Sequence, residues 1–546
     1  MLDTSIERTP LPYGYPLLIK TLLNAGLTSA PDQTVVCGDD WRFTYREVGE
    51  RINRLAQGLA SLGIRAGDTL GVMDWDSHRY LECFFAVPMM GAVLRHINPR
   101  LSAEQILYTI NHAGDNVILV NGDFLPVIEE IWDRVEPGKR LILLTDAPQD
   151  PNTSLPIAAE YEDLLAKSGA HYDFPDFDEN ARATTFYTTG TTGLPKGVYY
   201  SHRQLVLHTL VIRASLADAP HGRFTKDDVY MPITPMFHVH AWGFPYIATM
   251  VGAKQVYPGR YIPDRLLHLI ARENVTFSHC VPTLLQMVMG AAKAKSVSLS
   301  GWKVVIGGAA LPRALARQAL EQGIDIVAGY GMSETCPVLT LAHLKPEMLE
   351  WDLDRQADIR SLAGRPVALV QLRVVDPAMN DVPHDGVSQG EIVVRAPWLT
   401  QGYLKDPANS ARLWEGGWLH TGDAGVISGD GYLKITDRIK DVIKTGGEWV
   451  SSLQLEDLIS KHPDIEEAAV IGIPDPKWSE RPLAIVVARK GSTIGEEDIK
   501  TLLRVDAEKG IISKYAVPER IVFIDAIPKT SVGKIDKKAL REKHAQ

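Results

Sequence analysis

The ten residues Thr188-Thr189-Gly190-Thr191-Thr192-Gly193-Leu194-Pro195-Lys196-Gly197 constrain this chain more than any other stretch. Four threonines, three glycines and a lysine stand together. Glycine lets a backbone approach an anion closely and take positive φ. Threonine hydroxyls and open N–H groups donate to phosphate-like oxygens, and Lys196 adds a point charge. Ala183–Tyr187 reads as a short strand before the segment and Val198–Tyr200 as another after it. A loop that joins two strands and cradles an anion is expected. It departs from the Walker pattern, because Lys196 stands three residues after Gly193 and no Ser or Thr follows it. A plain solvated turn is the bland alternative, for which threonine is a poor choice.

The flanking sequence sets this loop in an α/β protein. Apolar runs at Leu70–Met73, Val117–Val120 and Leu141–Leu144 read as buried strands. Helical spacing at Leu17–Leu27, Thr44–Leu62 and Ser102–His112 alternates with them. Strand and helix alternate again from Gln255 to Ile306, ending in Gly307-Gly308-Ala309-Ala310. Such alternation predicts layers of helices on largely parallel sheet. Asp146–Pro156, rich in Asp, Pro and Asn, reads as a surface loop. Later, Leu369–Val375 puts Val370, Leu372 and Val374 on one strand face, and Gly390–Val394 is a second such run. They predict antiparallel strands in a smaller barrel-like part. The charged run Asp437–Asp441 marks a boundary. Leu453–Lys461 and Glu497–Glu508 beyond it read as helices, Glu467–Ile473 and Leu483–Ala488 as strands, which fits a small α+β domain.

Charge and cysteine content narrow the function. A net charge of −10 argues against a protein that coats nucleic acid, while leaving room for a local anion site. Cys37, Cys83, Cys280 and Cys336 are widely spaced, so free thiols in a reducing compartment are expected. Met1–Pro10 does not read as a signal peptide, and the uncharged stretch Ala241–Ala253 is too short to span a bilayer. The terminal Lys543-His544-Ala545-Gln546 is no retention or peroxisomal signal. A soluble cytoplasmic protein is expected.

Four further segments can carry chemistry. Tyr330-Gly331-Met332-Ser333-Glu334-Thr335 follows the apolar run Ile324–Ala328, at the carboxyl edge of a parallel sheet where such folds bind ligands. Tyr330 can stack on a base, and Glu334 can hold Mg²⁺, which prefers oxygen ligands. Asp423 in Thr421-Gly422-Asp423 can accept two ribose hydroxyls, although Asp-containing turns are common. The segment from Asp437 to Glu448 joins dense charge to the double turn Gly446-Gly447, and by composition it is equally a solvated linker. Lys534, after Pro528-Lys529-Thr530-Ser531-Val532-Gly533, is by composition one more exposed lysine. Two pairs distract. His238-Val239-His240, if a strand, turns both imidazoles to one face, but no third metal ligand is evident. Ser201-His202 on a strand would face opposite ways and so not form a nucleophile–base pair.

Taken together, in this order and spacing, the segments resemble the adenylate-forming superfamily of acyl-CoA synthetases, adenylation domains and beetle luciferases. The resemblance covers essentially the whole chain. It is strongest to medium- to long-chain fatty-acyl-CoA ligases, through Val87-Pro88-Met89-Met90-Gly91-Ala92-Val93, Asn98-Pro99-Arg100-Leu101, Pro235-Met236-Phe237-His238 and Gly446-Gly447-Glu448-Trp449-Val450-Ser451-Ser452. It implies a large N-terminal AMP-binding domain over 1–438 and a small mobile lid over 439–546, hinged at Lys440.

The same resemblance implies roles. Thr188, Thr189, Gly190, Thr191, Thr192, Gly193 and Lys196 would hold the ATP phosphates, and Tyr330 would stack on adenine. Glu334 would hold Mg²⁺, Thr335 would meet the α-phosphate, and Asp423 and Arg438 would reach the ribose. Lys534 would drive adenylation. His238 would lie beside the acyl carboxylate. Gly308, Ala309, Ala310, Gly331, Met332, Lys444 and Trp449 complete the cofactor-binding set. The acyl pocket would draw on Phe237–Phe244, Gly307–Ala310 and Tyr330–Leu339. The small residues there leave volume, while Trp242 and Met332 can narrow it. With no Lys, Arg or Asp in those segments, a monocarboxylic, apolar acid is expected, with ATP, Mg²⁺ and CoA as partners in the reaction. Two other readings stay open: an adenylating enzyme that hands the acyl group to a carrier protein or amine, and a non-catalytic nucleotide-binding module. Some relatives pair as homodimers.

Overall fold

The computed structural model describes residues 13–145, 153–188, 194–217, 219–445, 448–529 and 535–544. Most of the chain is built on two largely parallel sheets. The first has seven strands, with Thr69–Met73 near its middle and Val93–His96, Val117–Asn121, Arg140–Leu144, Ile157–Glu160 and Arg182–Thr188 parallel around it. Its edge, Lys196–Ser201, runs antiparallel to Arg182–Thr188, with Thr188 opposite Lys196. The expected strands thus flank the Thr/Gly-rich segment, of which residues 189–193 lie outside the described residues.

The second sheet has nine strands. Thr34–Cys37, Lys254–Tyr257, Val229–Ile233, Phe277–Cys280, Lys303–Ile306 and Asp325–Gly331 follow one another in parallel. Val338–Leu341 then turns back antiparallel.

A shared layer of helices separates the two sheets. His78–Met89 is buried at every residue, including its polar ones. It packs with Tyr45–Ser61, His202–Ala217 and Phe244–Val251 in one apolar cluster that draws on both sheets. The outer faces carry their own helices: Ala103–Ala113 and Leu125–Ile131 on the first sheet, Pro263–Glu273, Pro282–Lys295 and Arg313–Glu321 on the second. Five layers result, helix–sheet–helix–sheet–helix. Local sequence fixes the helix ends. Thr44 and Glu47 form a reciprocal cap on one central helix, and Gly114 ends Ala103–Ala113 in the left-handed region.

The smaller part expected after residue 360 is an antiparallel sheet of four strands, Gln371–Val375, Gly390–Arg395, Leu419–Ile427 and Leu433–Arg438. From Ile443 onward a separate five-stranded sheet forms around Ile465–Asp475 and Ser479–Ala488. It has apolar clusters of its own on both faces.

Candidate functional site

Strand ends from two sheets bring the sequence-singled residues together. Tyr330, at the end of Asp325–Gly331, donates its hydroxyl to Asp423 Oδ2 at 2.8 Å. Asp423 is paired in register with Arg438 on the neighbouring strand, and Arg438 Nε stands 2.9 Å from Asp423 Oδ1. A phenol and a guanidinium therefore fix the two oxygens of one buried carboxylate. Each oxygen retains a lone pair for a further donor, such as a sugar hydroxyl. Gly422, with φ of 67°, makes the bend that presents Asp423.

Glu334 sits in the turn that follows. That turn admits only glycine at 331, where an added Cβ would lie 1.7 Å from the Pro337 carbonyl oxygen. The Thr335 hydroxyl accepts the Met332 N–H at 3.0 Å and donates to the Pro337 carbonyl, which braces the turn. Glu334 is 7% exposed and accepts the Tyr403 hydroxyl at 2.7 Å on Oε1. Burial pushes its carboxyl above the usual carboxylate range, against the pull of the Tyr403 hydrogen bond. Among the described residues no lysine or arginine forms an ion pair with it. Magnesium takes one or two carboxylates and keeps water and phosphate oxygens for the rest. A buried Glu334 with no contact ion pair among the described residues, and with Arg438 acting on it only from a distance, fits that demand.

Lys196 reaches the same place from the first sheet, with Nζ 4.6 Å from the centre of the Tyr403 ring. Lys196, Tyr403 and Glu334 form a line from the end of the Thr/Gly-rich segment to the buried carboxylate. A cavity of about 340 Å³ opens beside it, lined by Tyr108, His112, Lys196, Tyr403, Lys405 and Asp406 among others. Sequence reading missed Tyr403. Its only signal is the neighbouring Gly402, and nothing in spacing tied it to Glu334.

The expected acid-facing segment departs from the sequence reading. Val239, His240, Ala241 and Trp242 all have positive φ, between 47° and 57°, so His238-Val239-His240 is a left-handed turn and not a strand. The two imidazoles do not share a face. His240 is driven into the core, with Nε2 2.7 Å from Thr184 Oγ1, while His238 stays half-buried beside the buried Phe237. Each such residue costs about 1–2 kcal/mol in local backbone energy, so the surrounding core imposes the turn. It sets Trp242 over Gly307, where an added Cβ would lie 3.1 Å from the indole. The volume that Gly307 leaves is filled by Trp242. Gly308 has positive φ, Ala309 and Ala310 are exposed, and Met332 is half-buried.

At the expected hinge, Asp441 and Val442 both donate their N–H to the Arg438 carbonyl at 2.8 Å, which makes Arg438–Val442 a turn, with Lys440 exposed on it. Asp437, just before it, is buried and accepts the N–H and hydroxyl of Ser452 at 2.5 and 2.6 Å. Arg541 pairs with Asp441 at 2.6 Å, and the Lys444 N–H donates to Glu480 at 2.8 Å. Thr189, Gly190, Thr191, Thr192, Gly193 and Lys534 lie outside the described residues, as does the side chain of Trp449.

The sequence matches the AMP-binding enzyme family over residues 24–404 and the AMP-binding enzyme C-terminal domain over 454–534. The chain belongs to the AMP-binding enzyme family. Among relatives of this AMP-binding enzyme, a long-chain-fatty-acid–CoA ligase of Thermus thermophilus is 40% identical, over 93% of this chain and 91% of the ligase. A 3-methylmercaptopropionyl-CoA ligase of Ruegeria lacuscaerulensis is 38% identical, over 96% and 97%. The crystal structure of ATP-bound MatB from Rhodopseudomonas palustris superposes with a TM-score of 0.83 at 25% identity, covering 97% of this chain and 99% of that one. The layered α/β fold with a small C-terminal domain is that of the adenylate-forming enzymes.

Proposed function

We propose that Lys196, Glu334, Thr335, Tyr330, Asp423 and Arg438, with 188–193 and Lys534, form one adenylating site that serves an apolar monocarboxylic acid of medium to long chain or related shape. The protein is an AMP-forming acyl-CoA ligase that uses ATP and CoA. The observation that carries the site reading is the line Lys196–Tyr403–Glu334, which joins the end of the Thr/Gly-rich segment to a buried carboxylate.

The chemistry follows from charge. The acid is already ionised at neutral pH, so its carboxylate attacks the α-phosphorus of ATP without a base, and pyrophosphate leaves. Negative charge grows on phosphoryl oxygens, which Lys196, Lys534 and threonine donors stabilise. When bound, Mg²⁺ supplies the dication that those oxygens need, and Glu334 would hold it. In the second step the CoA sulfur attacks the acyl carbonyl, a thioester bond forms, and AMP leaves with the electron pair of the broken anhydride. His238 and Phe237 would stand at the acid's carboxylate. Trp242 over Gly307 supports an apolar acyl wall. Residues 1–438 would act as the large domain and 439–546 as the lid. A cytoplasmic setting and a homodimer complete the proposal, to be checked by cell fractionation and sedimentation.

The test is thioester formation from ATP and CoA over a panel of straight-chain, sulfur-containing, alicyclic and aromatic acids. Stoichiometric AMP and acyl-CoA with apolar monocarboxylic acids is the expected result. Pyrophosphate exchange without thioester would point to a carrier or amine as acceptor, and no exchange with any acid would overturn the reading.

A further inference from the structure

Asp76 belongs to none of the motifs above. It follows the strand Thr69–Met73 at the carboxyl end of the seven-stranded sheet, and it is 2% exposed. Every bond it makes to the second sheet is to a loop at that sheet's carboxyl end. Its carbonyl accepts the Gly259 N–H at 2.9 Å. Its Oδ1 accepts the Met236 N–H at 2.8 Å, and its Oδ2 accepts the Tyr261 hydroxyl at 2.5 Å. One carboxylate thus ties the two sheets together at the edge where the site lies. Met236 is bonded to Phe237 and stands two residues before His238, and the Arg100 guanidinium lies 5.9 Å from the Phe237 ring centre.

We propose that Asp76 is a positioning residue for the acid substrate: its ionised carboxylate holds Met236, and through it Phe237 and His238, at the acid's carboxylate. This rests on the reading that Phe237 and His238 face the acid. The charge state matters because both side-chain partners are donors on different oxygens. A carboxylate accepts both. A protonated carboxyl turns one oxygen into a donor: it keeps both contacts only if the Tyr261 hydroxyl reverses to accept, and the Met236 N–H then bonds a neutral oxygen in place of a charged one, which is a longer and weaker bond. The backbone N–H of Met236 cannot reverse its role.

The groups around Asp76 set where that change falls. Asp74 lies in the same turn, held by Ser77 and Asn121. Arg100 approaches from the segment before Ala103, Tyr261 from its loop, and Tyr80, Tyr230 and Tyr257 from the central helix and the second sheet. Burial pushes the Asp76 carboxyl up to about 7, aided by Asp74 and opposed by Tyr261, Met236 and Arg100. Protonation then falls inside the working range, while a free fatty acid stays ionised throughout it.

The experiment is acid-dependent ATP–pyrophosphate exchange between pH 6 and 9, with KM for the acid and kcat resolved separately, on the parent, Asp76→Asn, Asp76→Glu and Tyr261→Phe. The parent's KM is expected to rise as pH falls through about 7, with kcat changing less than twofold. Asp76→Asn should raise KM about tenfold at pH 8 and flatten its pH dependence, and Asp76→Glu should restore part of both. Tyr261→Phe, which removes a bond to the ionised form, should move the limb to higher pH. A parent-like KM and pH profile in Asp76→Asn, or an unmoved limb in Tyr261→Phe, would overturn the assignment. Loss of kcat with KM unchanged would do the same. No exchange by the parent with any acid would fell the ligase reading first, and the role of Asp76 with it.

Discussion

At the residue scale the site is organised by a buried carboxylate that has no ion pair among the described residues. Glu334 accepts a phenolic hydroxyl, and among the described residues no cation contacts it, although Arg438 acts on it from a distance. Its carboxyl is held above the range of an exposed glutamate, about 4.3, mainly by burial. A group whose folded pKa is raised favours the folded state below its unfolded pKa and loses that contribution as pH climbs through the folded value. Ionised Glu334 is therefore a cost at neutral pH that a bound cation removes. Glu334→Gln should raise the unfolding temperature at pH 7–8, a gain that shrinks as pH falls through the raised folded pKa and is gone below about pH 4.3, while turnover falls and more magnesium is needed. Thermal melts against pH and a magnesium titration check both halves. Tyr403→Phe acts on the same carboxylate differently. It deletes a hydrogen bond to a charged group, typically about 1.5–3 kcal/mol, so turnover should fall roughly tenfold to a hundredfold. The activity that needs ionised Glu334 declines as pH falls through its pKa, and losing Tyr403 should shift that acid limb to higher pH. The turn that carries Glu334 was legible in the sequence, because an apolar run ending in a Gly-led polar cluster marks a strand and its exit loop. Tyr403 was not, since its partner lies 69 residues away and only the fold joins them.

At the element scale, periodicity carried the long pieces and failed at a turn. Ser102–His112 and Leu70–Met73 read correctly because burial on one face, or on both, imprints the helical period or an unbroken apolar run. The strand geometry weighed for His238-Val239-His240 does not occur there, because alternation of types cannot reveal four consecutive left-handed residues. No glycine marks those positions, and the core holds them there through contacts such as His240 to Thr184. Gly331 shows the opposite case. Its φ is not left-handed, yet the hairpin between Tyr330 and Thr340 leaves no space for a methyl group. Gly331→Ala should force the Pro337 carbonyl aside and break the bonds of Thr335, costing about 1–3 kcal/mol as overpacking does. The expected result is a clearly lowered melting temperature together with a loss of nucleotide affinity, read by calorimetry on the same sample. Parent-like melting would mean the turn relaxes without strain.

At the scale of the whole molecule, two chemical steps must share one site, although pyrophosphate has to leave before CoA attacks. A lid that changes orientation between the steps resolves the conflict, as gating motions do in other enzymes. The contacts around residues 437–441 suit such a pivot. Asp437, at the end of the four-stranded sheet, holds Ser452 across Lys440, and Asp441 beyond Lys440 holds Arg541, so a rotation there must release Ser452 from Asp437. With Asp441 fixed to Arg541, the backbone angles of residues 438–440 are left to absorb the rotation. Proline fixes φ near −65° and restricts the residue before it as well. Lys440→Pro should therefore hold one orientation. Adenylation, followed by pyrophosphate exchange, is expected to survive. Thioester formation from supplied acyl-adenylate should fall at least about tenfold, roughly 1.4 kcal/mol on the barrier. Lys534→Ala should show the reverse split, because a transition-state charge partner for the first step is typically worth about 10²–10³ in rate. The pair of variants makes the argument decisive. If the two half-reactions fall together in both, one fixed arrangement of the domains serves both steps and no pivot is needed at Lys440.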